Sequence, residues 1–170
     1  MQNLKPQSLT LPRWVLGRHP RRTLRRAALL AIATYLLFGV IMRVTIARGV
    51  SMLPTVPDGA VRLADMLRYR LRSPRRGEIV TIRLVGRRTM LLKRVIGLPG
   101  EEVRFERGTF LIDGVPLSEP YVVYNGRWTT GAYRLGPAEY YVAGDNRSGP
   151  YQDHATGIVK ESDILGKLLW

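Results

Sequence analysis

The sequence predicts an all-β domain preceded by a single transmembrane helix near the N-terminus. Residues 27–42 form an uncharged apolar run, AALLAIATYLLFGVIM. From residue 58 onward, short β-rich segments broken by Gly and Asp recur, and helical apolar spacing does not extend beyond about ten residues. A chain of 170 residues has room for one modest domain and one appendage.

The apolar run is the predicted membrane span. At about 1.5 Å per residue it measures roughly 24 Å, and extension to Ala47 brings it to the bilayer core of about 30 Å. We therefore divide the chain into a basic tail (1–26), a transmembrane helix (27–47) and an all-β domain (48–170). A cleavable secretory signal ending near Thr45-Ile46-Ala47 is the alternative, and it too would export the remaining chain.

The charge distribution predicts how the span is oriented. The net charge is +14, and residues 1–57 hold nine basic residues and no acidic one, while residues 58–170 hold 18 basic and 13 acidic residues. Basic residues ahead of a span favour a cytoplasmic N-terminus. We expect a single-pass membrane protein with an extracytoplasmic domain and the lipid bilayer as a partner. The excess of basic residues is then explained by the orientation of the span in the membrane. We therefore predict no nucleic-acid partner.

Composition narrows the possible chemistry. The chain has no Cys and two His. This excludes disulfides, thiol nucleophiles and thiolate zinc sites. We predict neither a metal site nor a cofactor.

The β-rich segments are assigned as follows. Asp113-Gly114 after an apolar run is a hairpin signal. The predicted strands are Ile79–Leu84 and Met90–Ile96, joined around Gly86, with Phe110–Ile112 and Glu139–Val142, and residues 162–165 are predicted to form one helical turn.

Lysine is the candidate base, because His19 lies in the predicted cytoplasmic tail and His154 is then the one imidazole in the exported domain. Lys93 lies in MLLKRVIG, where strand alternation places mostly apolar residues on both faces. Loss of hydration there would lower the pKa of its amine. The alternative is a lysine at a sheet edge that extends its amine to water.

Ser51 is the candidate nucleophile. It lies in RGVSMLPT, just beyond the predicted membrane exit. Gly49 permits unusual backbone torsions, and Pro54 rigidifies the segment behind the serine. By itself the segment favours an ordinary serine in a juxtamembrane loop.

Taken together, these segments resemble the sequence boxes of the type I signal peptidases, a Ser/Lys family of membrane-bound serine endopeptidases. The five matching segments occur in the family's order and cover the chain from about residue 28 to its end. They are Gly49–Thr55, Arg76–Val80 (with Glu78 for the family's Asp), Lys93–Gly100, Asp113-Gly114 through Glu119-Pro120-Tyr121, and Gly144–Arg147.

The resemblance implies a role for several residues. Ser51 would be the nucleophile and the backbone oxyanion donor, and Lys93 would be the general base. Gly49 stands where some members carry a serine hydroxyl as second oxyanion donor, and Arg94 and Asp145 are expected to form a supporting ion pair. The supporting residues are Gly49, Met52, Pro54, Arg94, Gly144, Asp145, Asn146 and Arg147.

The last box departs from the family pattern GDNRxxSxDSRxxG. Here the segment reads GDNRSGPYQDHATG, so the hydroxyl expected to orient the lysine is missing unless Ser148 or Thr156 replaces it. A second Asp–Arg pair is also lost, although Asp153 and His154 could form a weaker substitute. The residues that replace the family's Ser, Asp, Ser and Arg are Pro150, Gln152, Asp153 and His154.

The resemblance implies an enzyme that removes N-terminal signal peptides from exported preproteins through an acyl-enzyme. One alternative is a dedicated processing peptidase, such as one that matures a conjugative pilin. Another is a catalytically impaired membrane-bound relative, suggested by the divergent last box. A self-cleaving DNA-binding repressor is disfavoured, because the 26 residues before the apolar span are too few for a helix-turn-helix domain.

Overall fold

The computed structural model of the chain describes residues 19–83, 90–149 and 157–169. The chain divides into two units, Met1–Val40 and Ile41–Trp170. The first unit contributes helix α1 (Pro20–Tyr35), which continues as a π-helical segment, Leu36–Ile41. The second unit contains the β-sheets. The predicted fold class, an all-β domain after one apolar helix, is confirmed.

The helix is suited to an apolar solvent. Pro20 occupies its first turn, where the missing N–H costs no hydrogen bond. None of its side chains is buried by protein, and Leu29 and Leu30 are 67% and 69% exposed. The 22 residues of Pro20–Ile41 are long and apolar enough to cross a bilayer.

The helical region differs from the predicted span 27–47 at both ends. It begins seven residues earlier, at Pro20, and it ends at Ile41 because strand β1 (Met42–Ile46) follows directly. The β-branched residues Val44, Thr45 and Ile46 favour extended backbone. They pair with β2, so the extension of the helix to Ala47 is wrong.

Among the described residues, the larger sheet has seven strands in the order β1-β2-β11-β3-β4-β9-β10, and all its neighbouring pairs are antiparallel. Its strands after β1 are β2 (Val61–Asp65), β3 (Ile79–Arg83), β4 (Met90–Gly97), β9 (Glu139–Ala143), β10 (Ile158–Lys160) and β11 (Ile164–Leu169). A short helix, α2 (Arg68–Leu71), follows β2. β4 lies between β3 and β9, so Lys93 is on an interior strand.

In the part of the chain that the structure describes, the smaller sheet has four strands in the order β7-β6-β5-β8. They are β5 (Glu102–Glu106), β6 (Thr109–Ile112), β7 (Val115–Pro116) and β8 (Tyr133–Arg134). Asp113 and Gly114 connect β6 to β7 with φ of 50° and 80°, which confirms the predicted hairpin turn.

The other predicted elements agree with the structure to within a few residues. The strands predicted at 79–84 and 90–96 are β3 and β4, and they pair antiparallel. Leu84 and Gly86 lie outside the described residues. The predicted helical turn is a 3-10 turn, Glu161–Asp163, and residue 164 already begins β11 because Ile164 pairs with Ile82.

Both faces of the central strands are buried. Successive residues of β9 alternate between two apolar clusters: Tyr140 and Val142 pack with Val80, whereas Tyr141 packs with Phe105 of the smaller sheet. A third cluster contains Met52 and Val56 with Ile79 and Leu168. This third cluster anchors the segment that carries Ser51 against the sheet.

Phe105 gives a test of the cluster formed with the smaller sheet. Its ring is fully buried, 4.5 Å from the ring centre of Phe110 and 5.3 Å from that of Trp128. Phe105→Ala should therefore lower the free energy of unfolding by about 3–5 kcal/mol in denaturant titrations. The matched control is Val115→Ala, at a side chain that is 66% exposed, which should change it by less than about 0.5 kcal/mol. Equal losses in the two variants would contradict this packing.

Candidate active site

Ser51 lies in a tight turn after β1. Gly49 has φ of +94°, a torsion that favours glycine, and its N–H donates to Asp58 Oδ1 at 2.8 Å. Met52 and Val56 are buried, and the Val56 N–H donates to the Met52 carbonyl at 2.9 Å. Buried neighbours and backbone bonds thus hold the turn, while Ser51 itself stays partly exposed.

The loop after β9 contacts this turn directly. The Asn146 N–H donates to the Ser51 carbonyl at 3.0 Å, and Asn146 Nδ2 donates to the Val50 carbonyl at 3.1 Å. A Cβ on Gly144 would lie 2.2 Å from the Ser51 carbonyl oxygen. A glycine is therefore required at 144 for the two segments to approach this closely.

Lys93 is buried on β4, with 4% of its surface exposed, and it pairs with Val80 of β3. Burial lowers the pKa of its amine because the charged form loses hydration. The positive charge of Arg147 lowers that pKa further, and Asp145 partly opposes the shift. Within the described parts of the chain, Lys93 forms no ion pair.

The expected ion pair between Arg94 and Asp145 is present and buried. Arg94 Nε and Nη2 donate to the two oxygens of Asp145 at 2.8 and 2.6 Å, and Nη1 donates to the Gly77 carbonyl at 2.7 Å. Such a bidentate pair fixes orientation as well as distance. The residue after Lys93 is thereby joined to the loop that holds the Ser51 backbone.

Arg147 is fully buried and forms a second ion pair, with Glu119. Its Nη2 lies 2.7 Å from Glu119 Oε1, and its Nε donates to the Gly144 carbonyl at 2.6 Å. The Tyr121 hydroxyl donates to Glu119 Oε1 at 2.8 Å. Glu119 and Tyr121 had no predicted role, although their Glu-Pro-Tyr segment was one of the matching boxes and was the signal that could have found them.

Glu78, which replaces the family's Asp, is a hub of a separate network. Burial alone would raise its pKa, but hydrogen bonds from Arg72, the Arg75 N–H, Lys167 and Tyr69 outweigh this effect and lower the pKa to about 2. These contacts join α2 and β11 to the start of β3. Glu78 therefore acts as a structural anchor for the sheet.

A small cavity opens beside Ser51. Its volume is about 130 Å³, and it lies between the residue 45–52 segment and the start of β4. Its walls are largely apolar, with contributions from Ile46, Ala47, Met52 and Leu91. The cavity can take a small uncharged side chain placed next to the serine hydroxyl.

The divergent last box lies mostly outside the described residues, including Pro150, Gln152, Asp153, His154 and Thr156. Ser148 is described, and its hydroxyl donates to Asn146 Oδ1 at 2.7 Å. Ser148 therefore supports the Asn146 side chain, and within the described residues no hydrogen bond joins it to Lys93. Among the described residues, no group of three acidic or His side chains is arranged to hold a metal ion.

Gly144 gives a test of the close approach between the two segments. Gly144→Ala should lower the free energy of unfolding by about 1–3 kcal/mol, because the added methyl group collides with the backbone at Ser51. The control is Gly131→Ala, since no heavy atom lies within 4 Å of the new Cβ at that exposed position. Denaturant titration of both variants measures the difference, and an unchanged Gly144→Ala protein would contradict the contact.

The chain is similar to several signal peptidases. A probable signal peptidase I-2 from Synechocystis sp. is 34% identical over 123 residues, which cover 69% of this chain and 56% of that protein. Signal peptidase I from Bacillus caldolyticus is 30% identical over 155 residues, covering 83% of this chain and 84% of that protein. The crystal structure of a signal peptidase I from Enterococcus faecalis V583 matches with a TM-score of 0.48 and 30% identity, covering 58% of this chain and 98% of that one.

The extent of these matches differs between relatives. The chain spans less than two thirds of the Synechocystis protein and 62% of a signal peptidase I from Leptolyngbya laminosa. The family model described as "Signal peptidase, peptidase S26" matches residues 21–170, which is most of the chain. The chain therefore belongs to the signal peptidase family, peptidase S26.

Proposed function

We propose that this chain is a membrane-bound serine endopeptidase that removes signal peptides from exported preproteins, with Ser51 as nucleophile and Lys93 as general base. One observation carries the proposal. A buried lysine without an ion-pair partner among the described residues precedes Arg94, whose ion pair with Asp145 joins it to the loop that binds the Ser51 backbone. Family membership supports the same reaction.

The reaction follows from the protonation state of the lysine. Neutral Lys93 takes the Ser51 hydroxyl proton as Oγ attacks the carbonyl carbon of the scissile peptide bond. The Ser51 N–H stabilises the resulting oxyanion. When the C–N bond breaks, protonated Lys93 gives its proton to the leaving amine. Neutral again, it activates a water molecule that hydrolyses the acyl-enzyme and regenerates Ser51.

The remaining supporting residues position Ser51. Gly49, Met52 and Pro54 shape and anchor the serine turn, and Gly144 and Asn146 hold its backbone. The apolar cavity beside Ser51 suits a small residue before the scissile bond. The substrate binds in extended form, since small side chains let a peptide strand lie close to the sheet.

The membrane arrangement is part of the proposal. Helix α1 and its π-helical continuation cross the plasma membrane, and the basic residues before the apolar run keep the preceding tail in the cytoplasm. The sheets and Ser51 then lie outside. Because a preprotein is held in the same bilayer by its signal, the anchor raises its local concentration at the site.

Ser51→Ala and Lys93→Ala each test the dyad. In reconstituted membranes, each variant should cleave a model preprotein at least about 10³-fold more slowly than the wild type. Removal of one member of a catalytic unit costs about as much activity as removal of all its members. The cut site is read by mass spectrometry, and the matched control is Ser162→Ala, at an exposed serine of the 3-10 turn, which should keep near wild-type activity. Wild-type turnover by either dyad variant would refute the assignment.

The same assay separates the alternatives. A panel of secreted preproteins and one pilin-type substrate distinguishes a general signal peptidase from a dedicated processing enzyme. A wild-type chain that cleaves none of them, and whose Ser51 is not labelled by an acylating serine-peptidase inhibitor, would be the impaired relative.

The depressed pKa of Lys93 predicts how stability depends on pH. The unfolded chain binds one more proton than the folded chain between the folded pKa and the ordinary lysine value of 10.5, so folding becomes more favourable as pH rises through that window. Lys93→Met should therefore exceed the wild type in stability at neutral pH, and its advantage should narrow as the pH approaches 10.5. Thermal unfolding against pH measures this.

Lys160→Met is the control for that measurement, because Lys160 is exposed on β10. At neutral pH this variant should change the free energy of unfolding by less than about 0.5 kcal/mol. A pH-independent difference for Lys93→Met would show that the amine is hydrated in the folded protein.

A further inference from the structure

Two buried ion pairs lie beside Lys93, and one loop of the smaller sheet touches both. The first pair is Arg94 with Asp145, and the second is Arg147 with Glu119. The Tyr121 ring lies under the first pair, with the Arg94 guanidinium carbon 3.9 Å from the ring centre. The Tyr121 hydroxyl donates to Glu119 of the second pair at 2.8 Å.

The geometry gives Tyr121 two separate functions. A guanidinium over the face of an aromatic ring is attracted by the ring quadrupole, and the ring also limits how far the side chain can rotate. The phenol is a good fixed donor, because burial and the charge of Glu119 raise its pKa above the ordinary tyrosine value. Tyr121 thus contacts one member of each ion pair, Arg94 through its ring and Glu119 through its hydroxyl.

The second ion pair sets the charge next to Lys93. Arg147 has no exposed surface, and the Glu119 side chain is 8% exposed, so water screens neither charge strongly. Arg147 Nε also donates to the carbonyl of Gly144, the glycine that contacts Ser51. Removal of either partner would leave a buried charge unbalanced near the amine.

The charged groups that act on Lys93 are few among the described residues. Arg147 and Asp145, both in the loop after β9, are the two whose charges reach it. On the adjoining strand β3, the residue paired with it is uncharged Val80. Glu119 neutralises part of the Arg147 charge, and so it affects the pKa of Lys93 indirectly, through Arg147.

We propose that Tyr121 and Glu119 are positioning residues, through which the loop after β7 holds the two ion pairs beside Lys93 as one unit. This inference rests on the proposed function, in which Lys93 is the base. It adds that a loop of the smaller sheet, remote in sequence from the dyad, places the base and sets its proton affinity. The last box of this chain lacks the family's second Asp–Arg pair. We infer that the ion pair of Glu119 with Arg147 takes over its supporting role.

The first test is the pH profile of cleavage by the full-length protein in detergent micelles. Glu119→Gln leaves the Arg147 charge unbalanced, which lowers the pKa of Lys93, so the acid limb of kcat should move to lower pH while kcat falls. Tyr121→Leu should lower kcat by about 10- to 100-fold with little change in KM, because the base is displaced. Tyr121→Phe should recover part of that loss, since it restores the ring under Arg94.

A matched control exists on β8. The Tyr133 hydroxyl donates to Glu139 at 3.0 Å in an exposed tyrosine–glutamate pair that contacts neither ion pair. Tyr133→Phe and Tyr133→Leu should leave kcat and the pH profile unchanged. A Tyr121→Leu enzyme that behaves like Tyr133→Leu, or a Glu119→Gln enzyme with an unmoved acid limb, would overturn the proposal.

A second readout does not depend on cleavage. The chain has four lysines, so the side-chain carbon resonances of Lys93 can be assigned by Lys→Arg variants and titrated by NMR. In Glu119→Gln the Lys93 resonance should titrate at lower pH than in the wild type, and in Tyr133→Phe it should not move. If the wild type cleaves no preprotein, the proposed function fails. An unchanged Lys93 titration in Glu119→Gln refutes the positioning network alone.

Discussion

The buried ion pair between Arg94 and Asp145 is the interaction on which the site depends. Two charges taken out of water are costly unless geometry and further hydrogen bonds compensate. Here both carboxylate oxygens are bound, and the guanidinium also reaches the Gly77 carbonyl. The pair fastens β4 to the loop after β9, and that loop binds the backbone of Ser51. One interaction thus relates the strand of the lysine to the turn of the serine.

The chemistry proposed for Lys93 requires a compromise with stability. A lysine that is neutral enough to act as a base must be placed where its charged form is penalised. The fold supplies this environment by placing Lys93 on an interior strand of the larger sheet, with buried Arg147 near it. Backbone pairing with β3 and β9 holds the strand that carries the lysine.

Much of the site could be predicted from the sequence because its residues lie in short contiguous boxes. The pairing of Arg94 with Asp145 was predicted in this way, and so were the Asp113-Gly114 hairpin and the paired strands around residues 79 and 90. The same boxes supply Ser51 and Lys93, the dyad that we propose. The predicted end of the helix, at Ala47, was wrong. Hydropathy alone does not distinguish a β-branched run that continues a membrane helix from one that forms a strand, and here the run pairs with β2. Glu119 and Tyr121 received no role, because nothing in their segment of the sequence links them to Arg147 or Arg94, and only the folded chain brings these side chains together.

The sequence by itself determined the elements and the chemical groups: an apolar helix with basic residues ahead of it, short alternating strands, a serine after the apolar run and a lysine in an apolar strand. These follow from local periodicity and composition, which are properties of neighbouring residues. The tertiary structure alone decided which charges surround the lysine. Arg147, Glu119 and Tyr121 meet beside it because the smaller sheet packs against β4 and β9. These side chains become buried only once the sheets have assembled, and burial is what strengthens the electrostatic interactions between them.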